Sequence, residues 1–302
     1  MEHLTYLEAI VIGLLQGVTE LFPISSLGHS VLVPAWLGGS WSRLVTQQSS
    51  AESPYLAFIV GLHVATATAL LVLFWRDWVG IVGGFFTSVR HRRIDTTYER
   101  MAWLIVLCTI PAGLTGLLLE HQLRTVFAKP LAAAVFLTIN GVILLSGEWL
   151  RRRALRHPPA IVAQDAAQGA PALDVAIAQH VSARDAAVIG VLQTAALLPG
   201  ISRSGITMVA GLLRGLTHEE AVRFSFLLAT PIILAAGVYK VPDLLGPLGN
   251  GIRGQALAGA VAAFVAALFA AKFLQRWFRT RTLTPFAIYC LVAGAISIVH
   301  FA

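Results

Sequence analysis

Six apolar runs, each long enough to cross the hydrocarbon core of a bilayer, dominate this chain of 302 residues. An α-helix rises about 1.5 Å per residue, so about 20 apolar residues span a core of about 30 Å. Because 57% of the residues are hydrophobic and only 12% are charged, the chain lacks the polar surface of a water-soluble fold. We therefore predict an all-α, polytopic membrane protein that lies in the lipid bilayer. The predicted spans lie near 56–75, 101–119, 131–150, 224–241, 255–275 and 284–301.

Two further apolar stretches, 6–37 and 186–213, are each broken midway by a polar motif rich in Pro, Gly and Ser. Irregular backbone at membrane depth is tolerated only inside protein or beside a water-filled cavity. We predict that each stretch forms a re-entrant helix–loop–helix hairpin instead of a full span.

The two broken stretches also indicate an internal repeat. Segment 13–29 aligns without gaps on 190–206, with Ser25 on Ser202 among the identities. An odd number of crossings between them places the second hairpin upside down relative to the first, and inverted repeats bring broken helices together near the midplane. The predicted division is a first repeat, a cytoplasmic linker and a second repeat, at 1–150, 151–185 and 186–302.

The formal net charge of +7 comes mainly from basic clusters near 76–100, 151–156 and 272–281. The positive-inside rule places these clusters in the cytoplasm and both termini outside. Because loop bias explains the excess, nucleic acid is not an expected partner. Cys108 and Cys290 lie in apolar runs, which argues against a disulfide framework or a thiolate metal site.

The first polar motif places a carboxylate at membrane depth. Gln16 and Glu20 are four residues apart and share one helix face, and an intramembrane carboxylate is a functional group by default. His29 follows, and a Glu–His pair is a common acid–base arrangement; the alternative is a histidine packed in the core. Ser25 or Ser26 caps the returning half-helix and leaves its free N–H groups facing a cavity.

The second polar motif has the residue types that bind phosphate. Arg203 offers a planar, permanently charged fork for phosphate oxygens. Ser202, Ser204 and Thr207 add donors, and the neighbouring glycines allow close backbone approach. The alternative is an arginine that only pairs with Glu20 across the repeat interface, an arrangement compatible with the functional role.

Three other polar residues receive no site role from the sequence. His63 is one polar residue in a long span, where a packed histidine and a supporting group are equally good interpretations. Glu148 stands at a span end and is interpreted as an ordinary interfacial anchor. His218 stands at the polar start of a helix.

Three motif strings carry a resemblance to a known family: Gln16-x-x-x-Glu20, Pro23-x-Ser25-Ser26-x-Gly28-His29 and Pro199-Gly200-x-Ser202-Arg203-Ser204-Gly205-x-Thr207. They closely resemble the undecaprenyl-diphosphatase (bacitracin-resistance protein) family of bacterial membranes, and the resemblance spans almost the whole chain. It implies a multi-pass hydrolase of the bacterial plasma (inner) membrane. The implied reaction converts undecaprenyl diphosphate to undecaprenyl phosphate and inorganic phosphate, which recycles the lipid carrier for peptidoglycan and cell-wall synthesis and gives resistance to the antibiotic bacitracin.

The resemblance and the residue types of the two motifs together imply roles for individual residues. We assign catalysis to four of them, namely Glu20, Ser26, His29 and Arg203. We assign substrate binding to five more, namely Gln16, Ser25, Ser202, Ser204 and Thr207. In this interpretation Glu20 acts with His29 in proton transfer, and Ser26, His29 and water stay open as the nucleophile.

The cofactor and the oligomeric state are left open by the residues. A divalent cation, Mg²⁺ or Ca²⁺, that bridges Glu20 and phosphate is an option. Gln16 stands where many family members carry Glu, so the motifs hold one carboxylate. A homodimer is a further option.

The alternative function is a transporter or flippase for an anionic prenyl phospholipid. Inverted repeats and broken helices are transporter architecture, and Arg203 would bind a phosphate headgroup equally well. Glu20 with His29 separates the two hypotheses, because transport of an anion needs no acid–base pair.

Overall fold

The computed structural model describes residues 4–42, 54–127, 129–154 and 173–302. Within these ranges the regular structure is α-helical, with two short 3₁₀ turns at Thr194–Leu197 and Pro247–Gly249 and no strand. The α-helices are α1 Tyr6–Thr19, α2 Ser26–Leu37, α3 Pro54–Leu73, α4 Trp75–His91, α5 Thr97–Phe127, α6 Pro130–Ala154, α7 Leu173–His180, α8 Ala183–Gln193, α9 Arg203–Leu213, α10 His218–Leu245, α11 Arg253–Trp277 and α12 Thr284–Phe301.

Six of the described helices, α3, α5, α6, α10, α11 and α12, are long and apolar enough to cross a membrane. They coincide with the six predicted spans, so that prediction is confirmed. One of these helices, α10, begins earlier than predicted, at His218, before the apolar run starts. A capping box explains the early start, because the Thr217 hydroxyl accepts from the Glu220 N–H and the Glu220 carboxylate accepts from the Thr217 N–H.

The two broken stretches are confirmed as short helices that flank irregular backbone. The flanking helices α1, α2, α8 and α9 have 14, 12, 11 and 11 residues. Even the longest of them rises only about 21 Å, less than a bilayer core. The second stretch starts earlier than residue 186, because α7 precedes α8 across a bend of 95°.

The first half-helix of each broken stretch packs on a span from the other half of the chain. α1 packs along α11 and α8 packs along α5. Gly13 faces the backbone of Gly259, and its aligned counterpart Gly190 faces the backbone of Cys108. Glycines at these crossings let the helix backbones approach closely. The packing agrees with the predicted repeat, and the inverted orientation of its halves stays a prediction.

The basic segment between the first two spans is a helix where the sequence analysis predicted a loop. α4 begins directly after α3 and packs on α5. Trp75, Val79 and Phe86 recur at helical spacing and are exposed, which places one apolar stripe on the outside. Such a helix suits the interface between lipid and water.

The predicted cytoplasmic linker is helical at both ends. α6 continues to Ala154, and α7 occupies 173–180 with Ile177 buried in the core. The central part, 155–172, lies outside the described residues.

Glu148 is buried, which corrects its interpretation as an interfacial anchor. Its Oε1 contacts Nε2 of His218 and accepts from the N–H of Leu283 at 2.8 Å. The carboxylate thereby joins the end of α6 to the starts of α10 and α12. This contact could not be predicted from the sequence, because its three members lie on different helices and the local sequence shows only a glutamate near arginines.

Candidate active site

The first break, residues 20–25, turns the chain between α1 and α2. Glu20 caps the end of α1, and its N–H still donates to the Gln16 carbonyl at 3.0 Å. Ser25 has a φ of +71°, a backbone conformation that residues other than glycine rarely adopt. Its hydroxyl caps α2 by accepting from the Gly28 N–H at 3.2 Å. The break therefore delivers Glu20 and the start of α2 to one place.

The second break, residues 198–202, repeats this design before α9. Ser202 is the cap and accepts from the Gly205 N–H at 3.1 Å, matching Ser25 and Gly28 at the aligned positions. Gly200 has a φ of +113°, and a Cβ there would collide with the backbone of α6. Glycine is required at this position by both its backbone conformation and the space available.

Hydrogen bonds join the two breaks to each other. The Gly200 N–H donates to the Ser25 hydroxyl at 3.0 Å, and the Ser204 hydroxyl donates to the Phe22 carbonyl at 3.0 Å. The Ser202 hydroxyl also lies 3.0 Å from that of Ser204. The three predicted substrate-binding serines thus hold the two N-termini of α2 and α9 side by side.

Asn140 of α6 bridges the same breaks and was missed by the sequence analysis. Its Nδ2 donates to the Pro23 carbonyl at 3.0 Å, and its Oδ1 accepts from the Ser202 N–H at 3.0 Å. The side chain is fully buried. The available signal was a lone amide in the middle of an apolar span, where a polar group needs a partner.

Glu20 is the centre of the site and is buried. Its Oε1 accepts from Nη2 of Arg203 at 2.7 Å. Its Oε2 accepts from the Ser26 hydroxyl at 2.5 Å and from Nε2 of Gln16 at 3.1 Å, and lies 3.2 Å from Nε2 of His63. Four of the predicted residues therefore converge, together with His63, to which the sequence analysis gave no role.

The ion pair with Glu20 involves only Nη2 of the Arg203 guanidinium. Its Nη1 is buried and has no hydrogen-bond partner within the described residues. Arg203 is also the first residue of α9, where backbone N–H groups are free and the helix dipole is positive. A buried cationic donor beside a helix N-terminus is an arrangement that attracts an anion.

His29 and Thr207 have partners other than Glu20. Nδ1 of His29 lies 2.7 Å from the Ser25 carbonyl and Nε2 lies 2.7 Å from the hydroxyl of Tyr289, whose ring stacks on the imidazole. The Thr207 hydroxyl bonds the backbone of α9 and the Ser225 hydroxyl at 2.8 Å. The imidazole that contacts Glu20 is His63, whereas the sequence analysis paired Glu20 with His29.

The hydrogen-bond donors around Glu20 decide whether this carboxylate could also bind the predicted divalent cation. The described residues contain no group of three or more His, Cys, Asp or Glu that could hold a metal ion. Both oxygens of Glu20 face side-chain donors, one of them the cationic Arg203. A carboxylate bonded in this way does not fit a ligand of a divalent cation, which prefers several free oxygens.

Comparison with known proteins identifies the family of the chain. The model of the family described as bacitracin resistance protein BacA matches residues 9–296, a range that includes both breaks. The chain belongs to this BacA family. An undecaprenyl-diphosphatase of Mycolicibacterium paratuberculosis is 62% identical over 302 residues, covering 99% of this chain and 98% of the relative. One of Mycobacterium avium has the same identity and coverage, and one of Granulibacter bethesdensis is 44% identical over 100% and 99% of the two chains.

For this BacA-family chain, the motif residues other than His29 and Thr207 divide into two groups by contact. Gln16, Glu20, Ser26 and Arg203 meet in the charged centre, while the serines of both breaks form its backbone frame. His63, Asn140 and Tyr289 come from three separate spans and complete the contacts. Their partners lie far away in the sequence, so local motif spacing could not identify them.

Proposed function

We propose that this protein hydrolyses undecaprenyl diphosphate to undecaprenyl phosphate and inorganic phosphate. The proposal is supported by the names of its full-length relatives. The observation that carries it is the Ser26 hydroxyl, 2.5 Å from the Glu20 carboxylate, which also accepts from the Arg203 guanidinium. A hydroxyl held by a base next to a phosphate-binding cation is the constellation of nucleophilic phosphoryl transfer.

Arg203 binds the diphosphate in this proposal. Its Nη1 donates to a phosphate oxygen, and the N-termini of α2 and α9 supply further positive potential. In the transition state negative charge spreads over the oxygens of the transferred phosphoryl group and develops on the leaving oxygen, so preorganised donors stabilise it more than they stabilise the substrate. Arginine suits this role because its planar fork stays charged when it is desolvated.

Ser26 is the nucleophile in this proposal. Its oxygen attacks the terminal phosphorus while Glu20 accepts the hydroxyl proton, and the bond from that phosphorus to the bridging oxygen breaks. Undecaprenyl phosphate leaves with the bridging oxygen and its electron pair. Water then attacks the phosphoserine, which releases inorganic phosphate and restores the Ser26 hydroxyl. One water molecule is consumed, as the overall reaction requires.

His29 supports the same reaction from the next turn of α2. Residues three apart on a helix share a face, so His29 and Ser26 point to the same side. Its hydrogen bonds to the Ser25 carbonyl and the Tyr289 hydroxyl fix the orientation of the ring. We assign His29 to proton transfer with the leaving oxygen or with the attacking water.

The cellular setting follows from the substrate. We place the protein in the bacterial plasma membrane, where release of the monophosphate returns a lipid carrier to peptidoglycan synthesis and lowers the amount of diphosphate available to bacitracin. The homodimer stays a prediction, which the molar mass of the protein in detergent tests.

The test is release of inorganic phosphate from undecaprenyl diphosphate by the purified protein in detergent. We expect release by the wild type and a loss of about 10²- to 10³-fold in Arg203→Ala, the size typical for removal of one transition-state donor. Arg279→Ala is the matched control, since Arg279 is exposed and pairs with Glu219 at 3.2 Å, away from both breaks. Folded wild-type protein that releases no phosphate would overturn the proposal and favour lipid transport.

A further inference from the structure

His63 lies in the middle of α3, outside both breaks and outside every motif that the sequence analysis identified. Its Nε2 is 3.2 Å from Oε2 of Glu20, and its Nδ1 is 2.8 Å from the carbonyl oxygen of Ile59. We propose that His63 is a positioning residue, which holds the Glu20 carboxylate in the orientation that accepts the Ser26 proton. This inference rests on the proposed function.

The hydrogen-bond chemistry makes His63 a donor to Glu20. A backbone carbonyl can only accept, so the Nδ1 that faces Ile59 carries a proton. The Glu20 carboxylate is paired with Arg203 and also accepts, so Nε2 carries a proton as well. The ring is therefore bonded at both ends and cannot rotate without losing one hydrogen bond.

Glu20 needs an external support because of where it stands. It caps the end of α1, and the irregular first break begins there, so no further helical turn follows it. Arg203 holds only the other carboxylate oxygen, Oε1. Of the groups that contact Oε2, Gln16 and Ser26 belong to the same broken stretch as Glu20, whereas His63 belongs to a full span.

The support also acts at the atom where the proton arrives. Oε2 is the oxygen that faces the Ser26 hydroxyl, and His63 contacts this same oxygen. A displacement of about 1 Å at a reacting group can cost about 100-fold in rate. Loss of the His63 contact should thus lower the catalytic step more than it lowers binding of the diphosphate, which Arg203 performs.

Two substitutions separate the two ends of the imidazole. In His63→Gln the amide nitrogen reaches the place of Nε2 and keeps a donor for Glu20. In His63→Asn the shorter amide reaches only the place of Nδ1, so the bond to Ile59 is kept and the bond to Glu20 is lost. Both variants place an amide of similar polarity at this position, so we expect the two substitutions to lower the stability of the protein by similar amounts.

The experiment measures kcat and KM for phosphate release, with the thermal unfolding midpoint of each protein recorded in the same detergent. We expect His63→Asn to lower kcat about 10- to 100-fold with KM within about twofold of wild type. We expect His63→Gln to restore kcat to within a few-fold of wild type. Equal kcat values in the two variants, or a loss confined to KM, would overturn the inference.

A second comparison covers the case in which His63→Asn does not fold. In a Glu20→Gln background the buried charge that His63 supports is gone. The double variant, with Glu20→Gln and His63→Asn, is then compared with the single variant Glu20→Gln. If His63 acts through Glu20, the added substitution changes kcat less than about twofold, since residues that act as a unit are not additive. A full multiplicative loss would contradict that link. An inactive wild type would overturn the proposed function itself. An active wild type whose His63 variants have unchanged kcat would overturn only the role of His63.

Discussion

The Ser26 hydroxyl donates to Oε2 of Glu20 across 2.5 Å, and the two residues stand on opposite sides of the first break. Glu20 closes α1 and Ser26 opens α2. The irregular backbone between them brings a base to a hydroxyl and leaves the N-terminus of a helix beside both. The interruption of the helix is thus what assembles the reacting pair.

Ser26→Ala removes the proposed nucleophile and should lower kcat by about 10³-fold or more, because no other hydroxyl contacts Glu20 within the described residues. The measurement is phosphate release under saturating undecaprenyl diphosphate. Ser30→Ala is the matched control on the same helix, since the Ser30 hydroxyl donates only to the Leu27 carbonyl. Activity of Ser26→Ala within tenfold of the control would exclude Ser26 as nucleophile.

Arg203→Ala should also destabilise the protein, because it leaves Oε1 of the buried Glu20 carboxylate without the guanidinium that faces it. Breaking one side of a buried ion pair costs about 3–5 kcal/mol, whereas removing both charges is close to neutral. We therefore expect Glu20→Gln combined with Arg203→Met to regain most of the thermal stability and none of the activity. Thermal unfolding in detergent checks this, and a double variant less stable than Arg203→Ala would refute it.

Asn140→Leu should loosen the junction between the two breaks. The substitution leaves the Ser202 N–H without its Asn140 partner and the Pro23 carbonyl with only the weak Cys290 thiol contact at 4.0 Å, at about 1–3 kcal/mol for a buried polar group that loses its hydrogen bond. We expect a lower midpoint of thermal unfolding and a parallel loss of phosphatase activity. Thr68→Val, which removes an exposed hydroxyl that donates to the Val64 carbonyl of its own helix, should leave both quantities unchanged. Full activity and stability in Asn140→Leu would show that the bridge is dispensable.

Divalent cations should not stabilise the protein without substrate, because both Glu20 oxygens face the protein's own donors. The measurement is thermal unfolding of the wild type in EDTA and in millimolar Mg²⁺ or Ca²⁺. We expect equal midpoints within error. A rise of several degrees with cation that disappears in Glu20→Gln would show that Glu20 is a metal ligand after all.

The spans and the charged motif residues could be predicted from the sequence for a simple reason. Hydrophobic length fixes which segments can cross a bilayer, and a charge such as Glu20 or Arg203 inside such a segment is too costly to be accidental. Their pairing followed from the repeat, which predicts that the two breaks meet.

The partners contributed by other spans could not be predicted in the same way. His29 is close to Glu20 in the chain, yet α2 starts at Ser26 and directs the His29 ring toward Tyr289 on α12. His63 is far away in the chain, yet α3 packs against α1 and brings its imidazole to Glu20. The packing of many similar apolar side chains decides which helix faces meet. A local sequence motif therefore does not predict these contacts.

The most direct test of the central claim, attack by Ser26 on phosphorus, is the stereochemical course at the terminal phosphorus. The substrate is a prenyl diphosphate whose terminal phosphoryl group is made chiral with sulfur and oxygen isotopes, hydrolysed in isotopically labelled water. Two successive in-line displacements, first by Ser26 and then by water, predict net retention of configuration. Net inversion would show that water attacks the diphosphate directly and would contradict the account.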